Sequence, residues 1–257
     1  MKWALAERLT GQHTRRMETR TALVTGAAQG LGQEFAVALA GRGYRVAGLD
    51  LIPQPGTAGM ILDYVELVGD VSDAATVEEG LERVIDQFGA LHVVVNNAGV
   101  YPAKPFEETT VEDWRRVMRV NLEAPFLVTR AALPYLKAAG WGRIVNIASA
   151  AVFTAPPTMV PYVASKMGLI GFTRALASAL APYDITVNAI APSMVRTATA
   201  ERTVGADGGF EAVRDGQAVA RIQEPADLVS TLLYVVDEAS GFLTGQTLNV
   251  SGGSAYL

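Results

Sequence analysis

Seven short apolar runs, separated by longer stretches with helical spacing, constrain the fold of this chain more than any other feature. They fall at residues 21–25, 44–49, 65–68, 91–95, 143–148, 185–190 and 246–250. Strands that alternate with helices read as a parallel sheet, because each helix carries the chain back to the edge where the next strand starts. The runs are nearly continuous in Val, Ile and Leu rather than alternating with polar residues, so both sheet faces should be covered by helices. Helices are predicted over 31–42, 74–88, 111–138, 161–180 and 225–237. The expected class is therefore α/β, with a doubly wound parallel seven-stranded sheet and helices on both faces.

Local chemistry modifies this pattern in three places. Pro125 removes a helical donor and crowds the preceding turn, which should bend the third helix. Between Leu51 and Tyr64 the run Ile52-Pro53-Gln54-Pro55-Gly56 is hostile to a helix and predicts a short or irregular crossover. From Pro192 to Glu224 a long stretch with Gly205, Gly208, Gly209 and Gly216 suits a mobile substrate loop.

Composition narrows the function. A chain of 257 residues, half of them hydrophobic, can bury one large core, read here as one domain over 21–257. The net charge of −5, with scattered cations, disfavours nucleic acid and anionic membranes as partners. There are no cysteines, and the two histidines, His13 and His92, have no metal-ligand spacing, so no metal is expected. Residues 1–20 lack the apolar run of a signal peptide and read as an N-terminal extension, with Met17 an alternative start. No run of about 18 uncharged apolar residues spans a bilayer. The expected location is cytoplasmic.

The glycine turn Thr25-Gly26-Ala27-Ala28-Gln29-Gly30-Leu31-Gly32 lies between the first strand and its helix, the context in which such a turn carries weight. Gly26 allows the tight turn, and Gly30 and Gly32 let backbone approach a pyrophosphate and the sheet. The helix beginning near Leu31 offers free amides and a positive dipole end. Gln29 and Leu31 fall within this cofactor-binding set. Asp50, about twenty residues on at the end of the second strand, is placed to accept bonds from adenosine ribose hydroxyls, and neither Gln29 nor Leu51 supplies a cation for a 2′-phosphate. The cofactor expected is NAD. Asp70 and Val71 end the third strand, where they would meet adenine or cap the next helix. Asn97, Ala98 and Gly99 close the fourth strand in a loop that lets backbone pass close to a nucleoside.

Tyr162 and Lys166 are four apart on a predicted helix, hence on one face about one turn from each other. A tyrosine acting as a base near neutral pH needs its pKa lowered by roughly three units, or about 4 kcal/mol. An ammonium about 4 Å away at an effective dielectric near 20 supplies about that much. Ser149 precedes Tyr162 by thirteen residues.

These motifs, in this order, resemble the classical short-chain dehydrogenase/reductase family from residue 21 to the C-terminus: the glycine turn, Asn96-Asn97-Ala98-Gly99, Asn121, Ser149, and the pair Tyr162 and Lys166. The resemblance implies a Rossmann fold and a catalytic set of Asn121, Ser149, Tyr162 and Lys166. Tyr162 would move the proton as general acid/base, and Lys166 would lower its pKa and bind the nicotinamide ribose. Ser149 would hold the substrate oxygen, and Asn121 would position a water relay or bond a helix bulge. Pro192, Val195 and Thr197 would complete the cofactor site after the sixth strand. Pro192-Ser193 departs from the family's usual Pro-Gly, so Ser193 must avoid a glycine-only backbone geometry. The resemblance also implies a homotetramer.

Within the family the chain looks most like bacterial NAD-dependent secondary-alcohol dehydrogenases of the 1-phenylethanol type. Ala151, Val152, Phe153, Thr158, Met159, Met194, the 197–216 loop and Tyr101 are the expected pocket residues. Their apolar character favours a small hydrophobic secondary alcohol or ketone over an acidic substrate, which asks for a placed arginine. Arg196, at the loop entrance, reads first as a solvated or structural arginine, with pairing to an anionic group the alternative. The alternatives are a 3-oxoacyl-carrier-protein reductase-like activity, a polyol, sugar or pyridoxal-type dehydrogenase, and a cofactor-binding sensor or scaffold without turnover.

Overall fold

The computed structural model describes residues 19–204 and 208–256. Most of the predicted 1–20 extension lies outside the described residues. The chain begins its sheet in the middle, with β1 (Thr21–Thr25), then adds β2 (Arg45–Asp50) and β3 (Tyr64–Val68) on one side. It then crosses back to lay β4 (Val93–Asn96) on the other side of β1, followed by β5 (Gly142–Ile147), β6 (Ile185–Pro192) and β7 (Thr247–Val250). The resulting order is β3-β2-β1-β4-β5-β6-β7, and every neighbouring pair is parallel. The strand order reverses between β1 and β4, which opens a crevice beyond their carboxyl ends.

Alternate residues of the central strands enter two separate cores. Leu23, Val94 and Ile144 pack on one face against Val77, Leu81 and Val84 of α3 (Ala74–Phe88) and Val128, Ala132 and Leu136 of α5 (Ala124–Ala139). Ala22, Val24, Val93, Val95 and Val145 pack on the other against Phe35, Ala36 and Leu39 of α1 (Gly30–Gly41) and Leu228, Leu232 and Val235 of α10 (Ala226–Val236). Burial on both faces is what the unbroken apolar runs demanded.

Helix ends follow local chemistry. The Asp73 side chain accepts from the Thr76 amide to start α3, and Gly89 in the left-handed region ends it. A reciprocal Thr110–Asp113 capping box starts α4 (Val111–Met118). The single helix predicted over 111–138 is divided: α4 runs into a π turn at Arg119–Glu123 before α5 begins. Pro125 has no N–H for the carbonyl four residues back, that of Asn121, so the ladder is broken one turn before the proline itself. The β2–β3 crossover carries only α2 (Pro55–Ala58). Between β6 and α10 the described residues form the short helices α8 (Ala198–Val204) and α9 (Gly209–Asp215), with a bridge between Val195 and Gln223. Among the described residues no helix is long and apolar enough to cross a membrane.

Candidate active site

The crevice between β1 and β4 is stitched by side chains at both strand ends. Thr25 Oγ1 accepts from the amides of Asn97 and Ala98, each at 3.0 Å. Asn97 Nδ2 donates back to the carbonyls of Thr25 and Gly26 at 2.9 and 3.2 Å. Gly26 sits at φ +68° and Gly30 at φ +58°, a region costly for residues with a Cβ. A Cβ on Gly32 would lie 2.0 Å from the Gly26 carbonyl oxygen, so helix and turn approach as closely as backbone permits.

Gln29 precedes α1 without a side-chain cap, and Leu31 and Gly32 lie in a first turn that carries no acidic residue. The amides of this turn are left for an anion. Asp50 ends β2 with one carboxylate oxygen accepting from Ala28 N at 2.9 Å and the other from Ile52 N at 3.2 Å. Each oxygen keeps acceptor capacity for hydroxyl donors. Leu51 beside it is exposed. Asp70 accepts from both the amide and the hydroxyl of Ser72 through a single oxygen, and Ser72 holds its pKa below the usual carboxylate range. The cap of α3 is Asp73, so Asp70 does not serve the following helix in that way. Val71 is buried against the core.

Ser149 lies between β5 and the short α6 (Ala151–Thr154), and Tyr162 and Lys166 project from α7 (Val160–Leu180). Hydrogen bonding from the Ser149 side chain acts to lower the Tyr162 pKa. Ser149 Oγ also accepts from Ala151 N at 3.1 Å, which orients it. Tyr101 meets Tyr162 edge-on, with ring centroids 6.4 Å apart. Lys166 is 4 % exposed, and its Nζ donates to the Ile147 carbonyl at 2.7 Å. Burial lowers its pKa to about 8.

In the protein alone burial dominates and raises the Tyr162 pKa above its ordinary value, with Ser149 opposing it. The ammonium donates to the Ile147 carbonyl and lies 5.8 Å from the Tyr162 ring centroid.

Asn121, buried in the π turn, uses its side chain structurally. Its Oδ1 accepts from Val100 N and its Nδ2 donates to Val100 O, both at 2.8 Å, with a further bond to Ser165 Oγ at 3.1 Å. The amide thus ties the loop after Gly99 to α7. A Cβ on Gly99 would lie 3.3 Å from Asn121 Oδ1 and 3.6 Å from Lys166 Nζ, so these three residues converge.

Pro192 ends β6, and Val195 is bridged to Gln223. The Thr197 methyl group lies 3.1 Å from the Cβ position of Gly30, which seats the start of α8 over the glycine turn. Ser193 is not among the described residues with positive φ, as its replacement of a glycine requires. Arg196 is paired with Glu224 at 3.3 Å and lies over the Phe210 ring, so it is committed within its own segment.

Sequence reasoning missed the supporting polar groups. Thr57 Oγ1 donates to the Ala27 carbonyl at 2.7 Å and accepts from Gln33 Nε2 at 3.0 Å, closing α2 onto the glycine turn. Asn96, Asn146 and Thr173 form a buried chain of hydrogen bonds joining β4, β5 and α7 at 2.8 and 2.9 Å. Asn146 had a signal: an amide inside the apolar run 143–148.

Residues 20–207 match the family described as short chain dehydrogenase. Among curated proteins, the chain is 35 % identical to the (2S)-[(R)-hydroxy(phenyl)methyl]succinyl-CoA dehydrogenase subunit BbsD of Thauera aromatica, over 94 % of this chain and 98 % of that one. It is also 35 % identical to trans-4-hydroxycyclohexanecarboxylate dehydrogenase of Sinomonas cyclohexanicum, over 93 % of both chains. Among solved structures, 3-ketoacyl-(acyl-carrier-protein) reductase from Brucella melitensis complexed with NADH superposes with a TM-score of 0.88 at 28 % identity, covering 93 % of this chain and all of that one. The motif series, the sheet order and these likenesses agree: the chain belongs to the short-chain dehydrogenase/reductase family of oxidoreductases.

Proposed function

We propose that this protein is an NAD-dependent dehydrogenase of small, largely apolar secondary alcohols, working reversibly as a ketone reductase. The observation that carries the reading is the buried Lys166 ammonium held on the Ile147 carbonyl at the end of β5, with Ser149 two residues beyond and Tyr162 one helical turn away on α7. A binding module without turnover has no need for that arrangement.

The cradle fits a dinucleotide. The uncapped first turn of α1 would hold the pyrophosphate and Asp50 the adenosine ribose, with Asp70 and Val71 beside the adenine. Asn97, Ala98 and Gly99 would pass along the nucleoside, and Pro192, Val195 and Thr197 would close over the nicotinamide end. NAD supplies the hydride acceptor when bound.

The residues of the chain do the rest. Ser149 Oγ donates to the substrate oxygen and fixes it beside Tyr162. The Tyr162 phenolate takes the hydroxyl proton during oxidation and returns it during reduction. Lys166 places a buried positive charge where it favours the phenolate, and Asn121 holds the Val100 loop and α7 in register around it. Ala151, Val152, Phe153, Met159 and Met194 give the pocket an apolar body, in keeping with the ring-bearing substrates in the names of the Thauera and Sinomonas relatives.

A second reading, 3-oxoacyl-carrier-protein reduction, is favoured by the Brucella structure and by a 32 % identical reductase of Synechocystis. A 32 % identical D-threitol dehydrogenase of Mycolicibacterium smegmatis keeps polyols in view. The test is NADH and NADPH formation over 1-phenylethanol, cyclohexanol, a sugar alcohol and a 3-hydroxyacyl thioester. NAD-linked turnover of the first two supports the reading, and turnover confined to the thioester or the sugar alcohol overturns it. By family likeness the working form is a cytoplasmic homotetramer, for which the exposed Phe126, Met167, Tyr234 and Phe242 provide apolar contact surface; sedimentation tests the assembly.

A further inference from the structure

Gln223 stands at the exit of the segment that joins β6 to α10, and it is 8 % exposed. Its Nε2 donates at 2.7 Å to the carbonyl of Val250, the last residue of β7. Its Oε1 is buried with no partner among the described residues. Burying half an amide unsatisfied costs stability, so an apolar side chain would fill this space at lower cost. The donor that is kept therefore points to a positional role.

The backbone around Gln223 shows what is positioned. β6 and β7 pair as far as Pro192 and Val250, and the Ser193 amide reaches the Val250 carbonyl only at 3.4 Å. Beyond that point Gln223 takes over as the neighbour of the β6 chain: it forms a parallel bridge with Val195, and its carbonyl accepts from Arg196 N at 2.8 Å. Two residues after Val195, the Thr197 methyl group rests against Gly30 of the glycine turn. The stretch from Ser193 to Thr197 is thus fastened to β7 through Gln223 at one end and seated on the turn at the other. The Arg196–Glu224 pair lies beside it, but both partners are half-exposed, so solvent weakens their attraction. The exit of the segment is pinned separately, with Val219 N donating to the Gly252 carbonyl at 2.8 Å.

We propose that Gln223 is a positioning residue for the nicotinamide end of the dinucleotide, its Nε2 bond to Val250 fixing the backbone of Val195. The inference rests on the cofactor reading above and adds a second anchor to it: the redox end of the cofactor is registered from the last strand of the sheet as well as from the glycine turn. Gln223 acts through Val195 and not on the cofactor itself. Its loss should therefore spare the adenosine and pyrophosphate contacts, which belong to Asp50 and the first turn of α1. Val250 keeps the Ser193 amide when the side chain is changed, so no carbonyl is orphaned and the fold should hold.

The experiment compares wild type with Gln223→Met, which keeps the length of the side chain and loses its donor, and with Glu224→Gln, which removes only the exposed ion pair. Dissociation constants are measured for NADH and for ADP-ribose, which lacks the nicotinamide ring. In Gln223→Met the NADH constant should rise about tenfold, as one buried hydrogen bond is lost, while that of ADP-ribose stays within about twofold. The deuterium isotope effect on kcat with carbinol-deuterated 1-phenylethanol should grow as hydride transfer slows. Glu224→Gln should change neither constant by more than about twofold. Equal weakening of both ligands in Gln223→Met reports general loosening and overturns the positioning role, as does unchanged NADH binding. A selective loss of NADH in Glu224→Gln as large as that in Gln223→Met assigns the register to the ion pair and overturns it too. Absence of alcohol turnover in wild type sinks the hydride-transfer reading separately. The two binding constants then still decide the role of Gln223, because they need no substrate.

Discussion

The Lys166 ammonium donates to the Ile147 carbonyl at 2.7 Å, and this backbone oxygen, rather than a carboxylate, holds the cation inside the site. No anion offsets its burial, so its pKa falls to about 8. The charge is thereby kept uncommitted, available to a phenolate or to ribose hydroxyls.

That burial has a stability signature. The unfolded chain holds the Lys166 proton up to about pH 10.4 and the folded one only to about pH 8. Between those values the unfolded state binds more protons, so the contribution of Lys166 to stability rises with pH. Lys166→Met should unfold at higher denaturant than wild type at pH 7, by up to about 3 kcal/mol, with the gap narrowing toward pH 10.5. Denaturation curves of the cofactor-free proteins at the two pH values check this; a gap independent of pH contradicts it.

Ser149→Ala removes the hydroxyl that acts to lower the Tyr162 pKa. The rising limb of kcat/KM against pH for alcohol oxidation should move to higher pH, and the plateau should drop by about a hundredfold as an oxyanion donor is lost. A profile reduced in height but unshifted would detach Ser149 from the tyrosine.

Gly32→Ala would place a methyl group 2.0 Å from the Gly26 carbonyl oxygen. Backbone must move, so about 2 kcal/mol of stability should be lost, and the KM for NAD should rise more than tenfold. Thermal unfolding with and without NAD separates the two effects. Normal NAD affinity in this variant would remove the turn from the pyrophosphate site.

Asp50→Ala removes a carboxylate that both orients the Ala28 amide and would repel a 2′-phosphate. The ratio of kcat/KM for NAD to that for NADP should fall by at least tenfold. An unchanged ratio takes Asp50 out of the ribose site.

The fold was legible because every central strand is buried on both faces and reads as an unbroken apolar run; strand ends shifted by one or two residues. The glycine turn was legible because Gly26 and Gly30 take positive φ, and Asp50 because it is the acid that ends the second apolar run. Other features were hidden by their long-range nature. The π turn depends on which carbonyl Pro125 orphans, and Pro134 further along passes inside α5 without ending it. The pairing of Arg196 with Glu224 joins residues separated by two short helices. Spacing placed Tyr162 and Lys166 on one helix face, yet the ammonium turns to Ile147, on a strand that helix periodicity does not describe.

The most direct test of the account is Tyr162→Phe, assayed for NAD-linked alcohol oxidation and titrated with NADH by fluorescence. Turnover should fall at least a thousandfold while the NADH dissociation constant stays within about twofold, because the lost hydroxyl acts on the substrate proton and not on the dinucleotide. Activity close to wild type with equal NADH affinity would contradict the assignment of Tyr162 as the acid/base, and with it the mechanism built on the Ser149, Tyr162 and Lys166 arrangement.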